Sequence, residues 1–162
     1  MAINIGIVGS AFNLTEEEIK LAKALGKKIA EKPVNLFICY DKESLPMEAG
    51  KEALRNKEVT CFATDKNEEI KAKSLGFKTI NFNLPRLFRE IVFVNNVDIL
   101  IVCGGGSGTL MEVTFAYQLN KPIFVLNEIK GSIDMFKDKF LDKRERVKIK
   151  AVNLENLEEM IK

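Results

Sequence analysis

The sequence predicts a single doubly wound α/β domain built on a mostly parallel sheet of about seven strands. Three observations carry this. Short apolar runs alternate with longer stretches of helical periodicity through all 162 residues. Most of those runs are apolar at consecutive positions, which is the pattern of strands buried on both faces. The segments between them are long enough to act as crossover helices, which join parallel strands in the right-handed sense.

Taken in order, Ile3 to Val8 reads as the first strand, and Gly9-Ser10 turns the chain. Thr15-Glu16-Glu17-Glu18 has capping-box spacing. Ile19, Ala22, Leu25, Ile29 and Ala30 then give an apolar helix face, and Pro33 stops the helix. Val34 to Tyr40 is the second strand. Ser44 caps a helix through Pro46, Met47, Ala49, Ala53 and Leu54, with Pro46 in the first turn, where its missing N–H costs nothing. Val59 to Ala63 is the third strand. Asp65 to Leu75 is a helix rich in lysine and glutamate, closed by Gly76.

Phe77 to Phe82 is the fourth strand. Pro85 opens a helix whose buried stripe is read as Phe88, Ile91 and Val92, which leaves Arg86 and Arg89 at its polar border. Asp98 to Cys103, apolar without interruption after Asp98, is the fifth strand and a central one. Leu110 to Leu119 is a helix, Pro122 to Leu126 the sixth strand, Ile133 to Phe140 another helix. Val147 to Val152 and Leu154 to Ile161 add a last strand and helix. No linker or repeat divides the chain, so residues 1–162 read as one Rossmann-like domain.

Composition narrows the chemistry. With 46% hydrophobic and 30% charged residues the chain is of ordinary globular type, and 25 basic against 23 acidic side chains leave only +2. That balance gives no broad nucleic-acid footprint. The basic run Lys143, Arg144, Arg146, Lys148 and Lys150 is broken by Glu145 and reads as a solvated turn and strand edge. There is no histidine, which removes the Ser-His-Asp arrangement and nearly all common zinc sites. Cys39, Cys61 and Cys103 lack metal-ligand spacing and are expected as buried free thiols, and no metal is expected. The short apolar start lacks a secretory pattern and no run reaches the length of a membrane span, so the expectation is a cytoplasmic protein that binds neither membrane nor nucleic acid.

The strongest local signal is Cys103-Gly104-Gly105-Gly106-Ser107-Gly108-Thr109, which follows a buried strand and opens a helix. Ligands collect at such carboxyl ends of parallel strands. Glycine permits close backbone approach, and its N–H groups with those of the helix N-terminus surround an anion, with Ser107 and Thr109 adding hydroxyls. The spacing is neither a P-loop, since no lysine follows Gly108, nor the dinucleotide fingerprint. A tight turn that binds nothing is the competing reading, although four glycines within five residues carry a high entropic cost for a turn alone. Gly9-Ser10 ends the first strand in the same manner and reaches the same cleft if the first and fifth strands are neighbours. Thr109-Leu110-Met111-Glu112 has capping-box spacing, so Glu112 is either a cap or a carboxylate beside a ligand. Arg89 is either a surface arginine or a phosphate-binding guanidinium.

At these residues the sequence resembles a family of Rossmann-like proteins that includes the Lonely Guy phosphoribohydrolases, proteins labelled lysine decarboxylases, and the molybdenum-cofactor carriers. Its P-G-G-x-G-T-x-x-E motif corresponds to Gly104-Gly105-Gly106-Ser107-Gly108-Thr109-Leu110-Met111-Glu112, with Gly104 in place of proline. Asp98 to Val102, Lys121 to Val125 and Ile5 to Ser10 are also similar. The resemblance puts Glu112 on the catalytic glutamate and Arg89 on the arginine of an M-H-x-R-K motif. It implies that Gly9, Ser10 and Gly104 to Thr109 hold a phosphorylated ligand such as a nucleoside monophosphate. It also implies a homodimer or larger even oligomer. In this sequence Leu87 and Glu90 replace the histidine and lysine of the arginine motif, and Met111 replaces a glutamate. The family's second glycine-rich stretch stands as Cys39-Tyr40-Asp41-Lys42-Glu43-Ser44-Leu45-Pro46-Met47, without glycine. The retained loop with altered surroundings implies a nucleotide- or phosphorylated-cofactor-binding protein of the carrier-like branch. The alternative is a phosphoribohydrolase that cleaves the N-glycosidic bond of a nucleoside 5′-monophosphate through Glu112 and Arg89. A structural homodimer is the third reading. Nothing in the sequence marks a pyridoxal-phosphate lysine.

Overall fold

The computed structural model describes residues 2–161, so the outermost residue at each end of the expected 1–162 domain lies outside the described residues. The chain alternates strand and helix: β1 (Asn4–Gly9), α1 (Glu16–Ala30), β2 (Asn35–Cys39), α2 (Leu45–Ala53), β3 (Val59–Ala63), α3 (Lys66–Ser74), β4 (Lys78–Asn81), α4 (Arg86–Asn96), β5 (Ile99–Cys103), α5 (Ser107–Gln118) and β6 (Ile123–Leu126). A 3-10 turn (Ser132–Phe136), β7 (Ile149–Val152) and a final turn of helix, α6 (Leu157–Met160), complete it. The seven strands form one sheet in the order β4-β3-β2-β1-β5-β6-β7, with every pairing parallel. The doubly wound α/β fold with about seven strands is therefore present.

Alternation along the strands sorts side chains into two cores. Ile5, Ile7, Leu36, Ile38, Ile101 and Leu126 join Ala22 and Leu25 of α1, Met47 and Ala49 of α2 and Leu157 of α6 on one face. Val8, Leu100, Val102, Ile123 and Val125 join Phe93 and Val94 of α4 and Val113 and Tyr117 of α5 on the other. The order reverses at β1 and β5: chain growth runs outward through β2, β3 and β4, then α4 crosses back to β5. The crevice above the carboxyl ends of β1 and β5 is the switch point at which such folds bind ligands. Register there pairs Gly9 with Cys103.

Local signals worked as expected at several ends. Thr15 and Glu18 form the reciprocal capping box of α1, Ser44 caps α2 by accepting from the Met47 N–H, and Gly76 stands at φ +96° just past the C-cap of α3.

Three expectations fail. The stripe of α4 is not Phe88, Ile91 and Val92: Phe88 and Ile91 are exposed, and Arg89, Glu90, Phe93 and Val94 are buried. Both sets share helical spacing, and β1 decides between them. A Cβ on Gly6 would lie 2.9 Å from Cζ of Phe93, so the bare glycine makes the hole that seats Phe93. Phe93 also meets Phe62 edge-on at a 5.4 Å centroid distance. The helix expected at Ile133 to Phe140 is the shorter 3-10 turn, because the chain beyond it pairs with β7 instead. Asp138 N–H donates to Ile149 O (2.7 Å) and Ile149 N–H to Lys139 O (2.9 Å). The helix expected from Leu154 begins only at Leu157, since the Leu154 N–H is taken by the Glu128 carboxylate (2.8 Å).

Candidate functional site

The glycine run divides into two parts with different work. Gly104 and Gly105 adopt φ +70° and +102°, left-handed backbone that glycine tolerates. They lie behind the cleft wall. The Gly105 N–H donates to Ser10 Oγ (2.8 Å), and its carbonyl accepts from the Ser132 N–H (2.8 Å). Ser10 is thus a fastener between the β1 and β5 loops, and its Oγ and the Gly105 amide are already committed to each other. Gly9 permits the same closeness: a Cβ there would lie 2.2 Å from the Cys103 carbonyl oxygen.

Gly106, Ser107, Gly108 and Thr109 are the part that opens outward. α5 starts at Ser107 with Gly106 as its N-cap and no side-chain cap hydrogen bond. The first-turn amides of a helix have no intrahelical acceptor, and here they face a cleft. A Cβ built on Gly106 or Gly108 would meet nothing within 4 Å. Thr109 is therefore inside the first turn and not its cap, with its hydroxyl pointing back to Gly9 O (3.4 Å). This removes the capping role for Glu112.

The cleft has a volume of about 440 Å³. Gly9, Gly106 to Thr109, Arg89 and Glu112 all line it, so most of the residues singled out by sequence meet in one place. Ser10, Gly104 and Gly105 do not reach its surface. Asp41, Arg86, Leu87, Glu90 and Phe12 line it as well. The segment without glycines after β2 therefore contributes through Cys39, Asp41, Ser44 and Pro46. Phe12 is the residue that sequence reasoning missed; its only signal is an aromatic placed straight after Gly9-Ser10, at the carboxyl end of a switch-point strand.

Arg89 is only 2% exposed, not a surface arginine. The topology explains it: α4 must cross from edge strand β4 to central β5, which lays its first turns over the carboxyl end of the sheet. Its Nη1 donates to Tyr40 O (2.9 Å) and to Glu68 Oε2 (3.3 Å), and its Nη2 lies 3.8 Å from Glu90 Oε1. Arg86 Nε donates to Glu90 Oε1 (3.0 Å) and its Nη2 to Asp41 Oδ2 (3.1 Å). Both guanidinium groups are thus held by carboxylates. Glu90 Oε2 and Arg89 Nε are buried with no hydrogen-bond partner among the described residues.

Glu112 is 7% exposed, and its carboxyl is pushed up to about 8 by burial, then by the nearby Glu90 carboxylate, with Arg89 and Arg86 opposing. Around pH 7 it is largely a neutral acid that can donate a proton or a hydrogen bond. Burial also holds the Cys39 thiol on the cleft wall well above the usual thiol range. No group of three or more Cys, Asp or Glu suited to a metal ion occurs among the described residues.

The model of one family, the SLOG cluster4 family, matches residues 2–161. The chain belongs to the SLOG cluster4 family. Among solved structures, the molybdenum cofactor binding protein of Rippkaea orientalis superposes with a TM-score of 0.80 at 22% identity, over 99% of this chain and 96% of that one. The molybdenum cofactor carrier protein of Chlamydomonas reinhardtii gives 0.79 at 19% identity, over 99% and 96%. DNA processing protein A of Helicobacter pylori, described by its single-stranded DNA binding mode, gives 0.73 at 13%, over 98% and 80%. Identities this low establish the shared fold. No curated protein matches significantly. No helix among the described residues is long and apolar enough to cross a membrane.

Proposed function

We propose that this SLOG cluster4 protein binds a small phosphorylated ligand, a nucleotide or phosphorylated cofactor, with its phosphate on the first turn of α5, as a carrier-like protein does. The observation that carries the reading is the uncapped start of α5, with Gly106 and Gly108 bare toward a cleft at the switch point of the sheet. The molybdenum-cofactor proteins among the structures of the same fold support it. Because Arg86 and Arg89 are already held by Asp41, Glu68 and Glu90, the amides of α5 carry the phosphate and the arginines shape the wall. Calorimetric titration with nucleoside 5′-monophosphates, ribose 5-phosphate and inorganic phosphate tests this. Saturable binding that is lost in Gly108→Asp supports it, and no binding of any of them refutes it.

A second reading is favoured by one observation, the buried Glu112 at the cleft wall. As a neutral acid it can protonate a leaving base while water attacks the sugar carbon, which is the chemistry of a phosphoribohydrolase. Release of free base from a nucleoside monophosphate, abolished in Glu112→Ala, would establish it. The apolar face shared by α4 and α5 supports a homodimer as the assembly of this protein. Ile91, Val92, Phe115 and Leu119 line a groove of about 370 Å³ there.

A further inference from the structure

The loop from β1 to α1 carries an anomaly that neither packing nor the phosphate site uses. Phe12 is 70% exposed, the most of any exposed large hydrophobic side chain among the described residues. Its backbone stands at φ +73°, followed by Asn13 at +50°. Asparagine tolerates the left-handed region, whereas a phenylalanine Cβ is crowded against its own carbonyl there. The sequence thus places an aromatic where glycine, asparagine or aspartate would be less strained, and then leaves its ring out of both cores.

The loop is not loose. Ser10 N–H donates to Cys103 O (3.0 Å), Leu45 N–H donates to Ser10 O (2.8 Å), and Ala11 bridges Ser44. Ser10 Oγ receives the Gly105 N–H (2.8 Å). Phe12 is thereby presented from a segment tied to the glycine loop on one side and to the start of α2 on the other. Its side chain lines the same cleft as Gly106 to Thr109, in company with Pro46 and Leu87. A solvent-facing ring presented from a tied loop at the wall of a cleft is what a flat ligand face requires.

We propose that Phe12 is a stacking platform for a planar heteroaromatic ring, so that the cleft selects phosphorylated heteroaromatic compounds over sugar phosphates or inorganic phosphate. This rests on the reading of α5 as the phosphate site and adds the class of the group attached to that phosphate. Ring stacking is tolerant of the ring's identity, so Phe12 selects a class and not one base. Edge contacts from Asp41, Glu90 or Glu112 would discriminate within it.

The experiment is a calorimetric panel on the whole chain: wild type, Phe12→Ala and Phe12→Leu against the four common nucleoside 5′-monophosphates, ribose 5-phosphate and inorganic phosphate. Loss of stacking weakens the monophosphates by roughly tenfold or more in Phe12→Ala. It leaves ribose 5-phosphate unchanged, and Phe12→Leu behaves like Phe12→Ala because it keeps apolarity without a ring. The chain has no tryptophan, so Phe12→Trp supplies a single tryptophan, excited apart from the two tyrosines, whose emission should be quenched by a monophosphate and not by ribose 5-phosphate. Equal monophosphate affinity in wild type and Phe12→Ala overturns the stacking role and leaves the phosphate site standing. So does an equal loss for ribose 5-phosphate, or a wild type that prefers ribose 5-phosphate to every monophosphate. A wild type that binds nothing in the panel overturns the phosphate reading and this one together.

Discussion

Glu112→Gln should remove a large part of the pH dependence of this protein's stability. In the unfolded chain the carboxyl ionises near 4.5, and in the folded protein near about 8. Between those values the native state holds a proton that the unfolded state has released, so stability falls as pH rises through the window. The destabilisation is absent below 4.5 and complete above about 8. At about 1.4 kcal/mol per pH unit, the window is worth on the order of 5 kcal/mol. Glutamine keeps the shape and never ionises. Urea unfolding of both proteins from about pH 5 to about pH 8.5 reads the difference directly. The upper limit stays below the range in which Cys61 and Cys103, both pushed up to about 12 by burial, would add their own linkage. The stability of Glu112→Gln relative to wild type should grow by about 4 kcal/mol between pH 5 and pH 8 and then level off. Curves that stay parallel across the window would refute the claim that Glu112 is a buried acid.

Glycine substitutions should separate the two halves of the loop. Gly9→Ala forces a Cβ to within 2.2 Å of the Cys103 carbonyl and should lower stability by roughly 1–3 kcal/mol in thermal or urea unfolding. Gly106→Asp meets open space, so it should unfold like wild type while losing phosphate binding in calorimetry. Ser10→Ala leaves the Gly105 N–H without its acceptor and should cost about 1–3 kcal/mol, read by the same unfolding assay. Ile91→Glu combined with Leu119→Glu places charge on the apolar α4–α5 face and should convert a dimer to a monomer in light scattering. An unchanged mass would rule that face out as the interface.

The fold was legible because its signals are local and repeated. Consecutive apolar runs, the Thr15 capping box and Gly76 each dictate backbone geometry without help from distant residues. The glycine loop was legible as a place, and its division of labour was not. That Ser10 takes the Gly105 amide depends on β1 and β5 being neighbours, a pairing of residues 95 positions apart. The stripe of α4 was misread for a related reason. Leu87, Phe88, Ile91, Val92, Phe93 and Val94 make the helix apolar around most of its circumference, so periodicity alone does not choose a face. The hole at Gly6 chooses it. The same rotation turns Arg89 and Glu90 inward and Phe88 and Ile91 outward, so one wrong face hid both the cleft charges and the exposed apolar patch.

The replacement of the family's lysine by Glu90 has a consequence for mechanism. Glu90 is buried beside the cleft, receives Arg86 on one oxygen and leaves the other unpartnered. A cation at that position would stabilise an ionised Glu112, whereas a carboxylate there helps push it up to about 8. The residue that the resemblance puts on the catalytic glutamate is therefore mostly protonated at neutral pH. Hydrolysis that uses Glu112 as a base would rise about tenfold per pH unit up to about pH 8, whereas protonation of a leaving base by Glu112 would decline above it. Ligand retention by the amides of α5 needs neither form. Glu90→Lys restores the cation and should draw Glu112 downward, visible as a narrower window in the same unfolding comparison. A gain of base release in that variant at neutral pH would mean that this substitution is what holds the wild-type chain to binding.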